Sequence, residues 1–202
     1  MSIVDRIRFM HTRFWLVIAS LLLIAQISLA PASAENDNEQ SLKHQPDTER
    51  LRFVIDVAED LALFNPTLVN STDSQPERGT FFVTEGNIYP AGTIKGNGAA
   101  FDPNSAGSIG RWFCRGTFLV PVSAIPAAAF WVDTAQLYLL PDDTRSIATD
   151  GLEGAGVIVR TVTGGTGAFR GYLGEQRQEV LGFNATGGVN LRVTFVLSKA
   201  TR

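Results

Sequence analysis

The sequence predicts an all-β domain of antiparallel strands, and three observations carry that prediction. From Gly156 to Leu197, three strand-like runs (Val157–Val162, Phe169–Leu181 and Val189–Leu197) are separated by glycine-rich corners. In the last run Leu191, Val193, Phe195 and Leu197 share one face while Arg192, Thr194 and Val196 share the other. That period of two belongs to a strand with one side buried. No apolar periodicity of helical length occurs after the N-terminal segment. The corners, Gly164-Gly165-Thr166-Gly167 and Ala185-Thr186-Gly187-Gly188, put glycine where a tight reversal needs positive φ.

Residues 1–34 read as an export signal. Arg6, Arg8 and Arg13 form a basic n-region, Phe14–Ala30 is uncharged and largely apolar, and Ala32-Ser33-Ala34 offers a cleavage site. The competing reading is a retained membrane anchor, because the apolar run is longer than most signal cores. Small residues follow it at once and no charged stop-transfer cluster does, so cleavage is preferred, leaving no stable membrane span. Either way the expected destination is outside the cytoplasm, secreted or periplasmic. Residues 35–50 are polar and charged, a flexible leader, and residues 51–202 form the domain.

Within the domain, Leu51, Phe53, Ile55 and Val57 share a face of the first strand. Residues 65–79 have loop composition, and Gly79–Tyr89 returns to strand. Asn97-Gly98 is a hairpin dipeptide. Ile109–Val120 and Ala129–Leu140 are the longest aromatic-rich strands, with Pro121 and Pro126 between them. Pro141-Asp142-Asp143-Thr144 and Asp150-Gly151 read as further turns. About eight strands with turns this regular form a sheet that closes or splits into a sandwich.

Composition excludes several chemistries. The 2 histidines are His11, in the signal, and His44, in the leader. The domain therefore holds no Ser-His-Asp or Cys-His nucleophile system and no histidine zinc site. The Gly164–Gly167 corner precedes a strand and lacks the Gly-Lys-Ser/Thr of a phosphate loop. The net charge of −3 provides no basic footprint for nucleic acid. The sole cysteine, Cys114, lies among Trp112, Phe113 and Phe118, which favours a buried inert thiol. Asn70-Ser71-Thr72 and Asn184-Ala185-Thr186 fit a glycosylation sequon and otherwise read as turns.

Thr163-Gly164-Gly165-Thr166-Gly167-Ala168-Phe169-Arg170-Gly171, followed by Gly174-Glu175, resembles the V-x-G-G-T-G-x-F-x-x-x-x-G corner of the allene oxide cyclase and dirigent barrel superfamily. Gly110-Arg111 through Gly116 is similar to a Gly-Arg strand of dirigent proteins, and Thr194-Phe195 resembles the closing strand of the cyclases. The resemblance covers roughly residues 51–198 and looks like a bacterial-type member of the group. It implies an eight-stranded antiparallel closed β-barrel, a cofactor-free reaction if any, and a homo-oligomer such as a trimer. Leu173 stands where dirigent proteins carry an arginine, so control of phenoxyl radical coupling is not implied.

On barrel walls, a carboxylate among apolar neighbours gains a raised pKa and suits a general acid. Glu85 shares a face with Phe81, Val83 and Tyr89, and Asp133 shares one with Trp131, Ala135, Leu137 and Leu139. Both are candidate lumen acids. The alternative is a break in strand parity near Gly86, or faces turned toward a partner subunit. Dirigent proteins carry an acid on their first strand, and by that resemblance Asp56 is a third catalytic candidate. Arg111 and Arg115, on one face with Phe113 and Thr117, either bind an anionic head group or pair with Asp133 or Glu153 at a rim. Tyr89, Tyr138 and Tyr172 offer a hydroxyl to a ligand oxygen, or serve as rim aromatics. The expected activity is binding of an apolar or amphipathic small molecule, with or without a guided cyclisation or isomerisation. A carrier and a structural barrel filled by side chains are the alternatives.

Overall fold

A computed structural model describes residues 48–67, 74–141 and 144–200. The signal, the leader as far as residue 47, and Asn70 lie outside the described residues. Among the described residues nine strands follow one another. They are β1 (Thr48–Glu59), β2 (Asn65–Pro66), β3 (Phe81–Pro90), β4 (Gly110–Phe118), β5 (Phe130–Leu139), β6 (Ser146–Gly154), β7 (Val157–Gly165), β8 (Leu173–Phe183) and β9 (Val189–Ala200). All pairings are antiparallel, in the order β1-β9-β8-β7-β6-β5-β4-β3, and β3 returns to β1 from Ile55↔Pro90 to Glu59↔Gly86. Eight strands thus close a barrel, with β2 a short addition beside β3. Among the described residues no helix is long and apolar enough to cross a membrane.

Strand parity divides inside from outside. On β9 Leu191, Val193, Phe195 and Leu197 are buried, as the period of two requires. One half of the ring is solid. Phe53 stacks on Phe195 with centroids 4.9 Å apart, Phe169 lies 5.8 Å from Phe53, and Tyr138 meets Phe195 edge-on at 5.1 Å. Each such pair contributes ~1 kcal/mol beyond its area. Phe169 reaches this plug from the 3₁₀ turn Gly167–Phe169, so the glycine corner closes that end of the barrel.

Several boundaries differ from those expected, among them the start of β8 at Leu173 rather than Phe169, which lies in a 3₁₀ turn. Strand β1 starts at Thr48 rather than 51, because Thr48, Glu49 and Arg50 pair with Ala200, Lys199 and Ser198. Gly164 and Gly165 end β7, and the turn comes only after them. Asp150-Gly151 is no turn but lies within β6, where Gly151 takes φ +147°. Asn97-Gly98 belongs to the long connection 91–109, not to a tight hairpin. That connection folds back over the barrel wall, where Ile94 and Phe101 pack on Ala58, Tyr89 and Leu181 in a second small core.

Candidate functional site

The other half of the barrel is hollow. A partly open cavity of about 430 Å³ is lined mainly by apolar side chains, including Phe64, Phe82, Trp112, Phe118, Ile125, Trp131, Val180 and Leu191. Two acids, Glu59 and Glu153, enter it, and among the described residues no Lys, Arg or His lines it.

Glu59 continues the inward face Leu51-Phe53-Ile55-Val57 to the end of β1. The second glycine corner fixes it there. Asn184 Nδ2 donates to the Glu59 carbonyl at 2.7 Å, and the Leu61 amide donates to Thr186 Oγ1 at 3.1 Å. A Cβ on Gly188 would sit 2.3 Å from the Glu59 carbonyl oxygen, so only glycine permits this approach. The carboxyl receives the Thr84 hydroxyl at 2.7 Å and the Val189 amide at 2.9 Å. Burial nevertheless pushes its pKa above the usual carboxylate value; those two bonds pull it back, and the charge of Glu153 adds to the rise.

Glu153 lies on β6 at the end of a polar belt crossing the barrel between cavity and plug. Its Oε1 accepts from Thr134 Oγ1, from Gln136 Nε2 at 2.8 Å and from Arg160 Nη1 at 3.4 Å, while Oε2 accepts from Gln178 Nε2 at 3.1 Å. Behind it, Tyr138 donates its hydroxyl to Gln136 Oε1. Gln176 Nε2 lies 2.8 Å from the Tyr138 oxygen and 3.0 Å from Gln178 Oε1. The belt therefore points donors at Glu153, which works as an acceptor held in one orientation. Tyr138 is wholly buried, and desolvation raises its phenol well above the ordinary value, so it stays neutral.

Cys114 faces this belt, its sulfur 3.8 Å from Glu153 Oε1. Burial, with the nearby carboxylates, pushes its thiol pKa well up, which removes nucleophilic character.

The expected lumen acids lie elsewhere. On β3 the inward residues are Phe82, Thr84, Gly86 and Ile88, so Glu85 faces outward and pairs with Arg111 at 2.5 Å, both partly exposed. Asp133 is also exposed, since Val132, Thr134, Gln136 and Tyr138 are the inward set of β5. The expectation failed because the outer face is the more apolar one: Phe81 and Val83 are each 41 % exposed, opposite an inner Thr84 and Gly86. Asp56 is buried on the outer side of β1 under the 91–109 connection. It accepts from Arg192 Nε at 2.9 Å and from the Ile94 amide at 3.0 Å, the role of a structural ion pair. Arg111 lies over the Phe113 ring at 4.7 Å, and Arg115 is exposed on the same outer face, so neither reaches the cavity. Tyr89 sits in the small outer core, its hydroxyl 2.7 Å from the Pro103 carbonyl. Of the named tyrosines Tyr138 alone joins the interior belt; Tyr172 lies under Lys199 at 5.6 Å. Glu59 was missed although it extends an apolar period-two face, and that parity was the signal.

No family model and no curated protein matches the chain. Solved structures do. A pterocarpan synthase dirigent protein superposes with TM-score 0.55 at 11% identity, covering 80% of this chain and 99% of its own. A second pterocarpan synthase dirigent protein gives 0.53 at 13%, covering 79% and 99%. A pyocyanin demethylase gives 0.48 at 14%, covering 72% and 99%. Closed on itself through β1 and β3, the chain shares the barrel fold of these dirigent proteins.

Proposed function

We propose that this chain is an exported barrel that binds an apolar small molecule in its hollow half and guides a cofactor-free isomerisation or cyclisation. One observation carries this reading: a buried carboxyl with a raised pKa, Glu59, lines an apolar cavity of about 430 Å³. Glu59 gives a proton to an oxygen of the bound molecule, and the rearranged product returns one to it. Protons therefore balance and no oxidant or co-reactant is consumed. Glu153, fixed by its donors, provides a stationary negative pole toward which a developing positive centre turns. The apolar walls exclude water and hold the chain of the substrate in one bend. That proteins named pterocarpan synthases share the ring supports a barrel of this use.

A carrier without turnover is the second reading. It is favoured by the engagement of both Glu59 oxygens, by Thr84 and Val189. The test begins with the full chain: organic extraction and mass spectrometry of what it carries, and calorimetry with an uncharged naphthalene probe. With a converted substrate in hand, Glu59→Gln lowers turnover at nearly constant affinity if the barrel is catalytic, and shifts affinity alone if it is a carrier. A purified chain that carries no lipophilic molecule and takes up no apolar probe ends both readings.

A further inference from the structure

The cavity offers acceptors and aromatic carbon more than donors. Phe82, Trp112, Phe118 and Trp131 wall it beside Glu59 and Glu153, and among the described residues no basic side chain lines it. Thr84, Cys114 and Gln178 also line it, and each gives its own donor to one of the two carboxyl groups. The indole nitrogens of Trp112 and Trp131 are buried in the wall, so the two rings meet the cavity through carbon. An aromatic ring attracts a cation placed over its face, and a carboxylate attracts one that donates to it.

Of the two acids, Glu153 is the more open to an arriving molecule. Its side chain keeps 17 % of its surface accessible, while Arg160, which pairs with it at 3.4 Å, keeps 0 % and does not line the cavity. The negative end of this pair therefore faces the cavity, and the positive end is buried behind it. Arg160 makes shorter bonds elsewhere, to Thr134 Oγ1 at 2.7 Å and the Gly151 carbonyl at 2.8 Å. Among the described residues Glu153 Oε2 accepts from Gln178 Nε2 alone, at 3.1 Å. A carboxylate oxygen has about two lone-pair positions, so Oε2 keeps one for a further donor. Glu59 is buried, and its two oxygens are held by Thr84 and Val189.

We propose that Glu153 anchors a protonated amine, so that the ligand of the cavity is an organic cation with an apolar body. This rests on the reading that the cavity binds a small molecule. The ammonium donates to Oε2 while the apolar body lies against the rings, and Glu59 is left for the proton transfer. A ligand ending in carboxylate or phosphate meets two acids and no counter-charge. An uncharged ligand fits the walls and leaves the open oxygen of Glu153 to water.

The experiment is calorimetric titration of the full chain at neutral pH with three probes of one shape: 2-(aminomethyl)naphthalene, 2-ethylnaphthalene and 2-naphthoate. The ammonium is expected to bind about tenfold more tightly than the hydrocarbon, the worth of a hydrogen bond to a charged group once desolvation is subtracted. Naphthoate is expected to show no measurable binding. In Glu153→Gln, which keeps the shape and removes the charge, the advantage of the ammonium disappears. The hydrocarbon keeps its affinity within about twofold, which also reports that the variant is folded. The comparison of the three probes on the unaltered chain stands without the variant. Equal binding of ammonium and hydrocarbon there overturns the inference while leaving the cavity reading intact, and so does tight binding of naphthoate. An ammonium advantage that survives Glu153→Gln and is lost in Glu59→Gln overturns the assignment to Glu153. Failure of all three probes to bind overturns the cavity reading itself, and this inference with it.

Discussion

Arg160 donates from Nη1 to the carbonyl of Gly151 at 2.8 Å, across a place where β6 and β7 have stopped pairing. Their ladder ends at Asp150↔Thr161, and beyond it the guanidinium takes over. Nη1 also donates to Thr134 Oγ1 at 2.7 Å and Nη2 to the Thr134 carbonyl at 2.8 Å. A Cβ on Gly151 would come 3.5 Å from the Arg160 stem, ordinary contact, but its φ of +147° suits glycine. The fully buried cation thus replaces a stretch of backbone ladder and anchors the polar belt.

Removing that cation leaves buried acceptors without donors. Arg160→Met is expected to destabilise the chain by about 3–5 kcal/mol, read as a lower urea midpoint. Arg160→Lys rescues little, because an ammonium cannot reach both carbonyls in one fork. A midpoint unchanged in Arg160→Met refutes the anchoring role.

Glu59 sets a pH dependence of stability. Its pKa is raised in the folded state above the reference value of 4.5. The folded chain therefore holds a proton that the unfolded chain has released. Its contribution is fully present below the unfolded value and is lost as pH rises through the folded one. Thermal melts are expected to show stability declining from about pH 4.5 upward across that window. In Glu59→Gln the decline is reduced; an unaltered slope shows that another group is responsible.

Closure of the ring passes close to the site. A Cβ on Gly86 would lie 2.3 Å from the Ala58 carbonyl oxygen and 2.8 Å from the Glu59 Cα, both backbone atoms. Gly86→Ala is expected to lower stability by about 1–3 kcal/mol and to weaken uptake of an apolar probe by displacing Glu59. Gly164→Ala is the control: nothing lies within 4 Å of its Cβ, and the change is within about 0.5 kcal/mol. Equal melting temperatures for the two variants contradict the crowding at the seam.

Acids on the outer wall separate frame from site. Asp56→Ala strips a buried carboxylate from Arg192 and the Ile94 amide and is expected to cost about 3 kcal/mol. Glu85→Gln, at a partly exposed pair, changes stability by less than about 1 kcal/mol. Neither Glu85→Gln nor Asp133→Asn alters probe affinity in calorimetry. A loss of binding in either places the site on the outside.

How far the fold could be read in advance follows from where the chain obeys local rules. The runs ending in β9 kept their parity, and the resemblance of the Gly164–Phe169 corner led to a closed ring. The site was harder because its markers run against the usual pattern. A hollow interior needs small and polar inward residues such as Thr84 and Gly86, while Phe81 and Val83 face out, so apolarity pointed to the wrong wall. Trp131 reached the cavity through a register shift, which alternation cannot foresee. Glutamines 136, 176 and 178 form a belt only once β5 and β8 lie across the lumen from each other, a relation of the whole ring rather than of any segment.

The aromatic plug and the polar belt confine rigidity to one storey of the molecule. Above them, residues such as Leu61, Ala62 and Ser74 line empty space and stand outside the main core cluster. Changes there reshape what the vessel admits without reopening the question of whether it folds. A lineage built on this plan is therefore free to trade one guest for another by altering the lip while the base stays as it is.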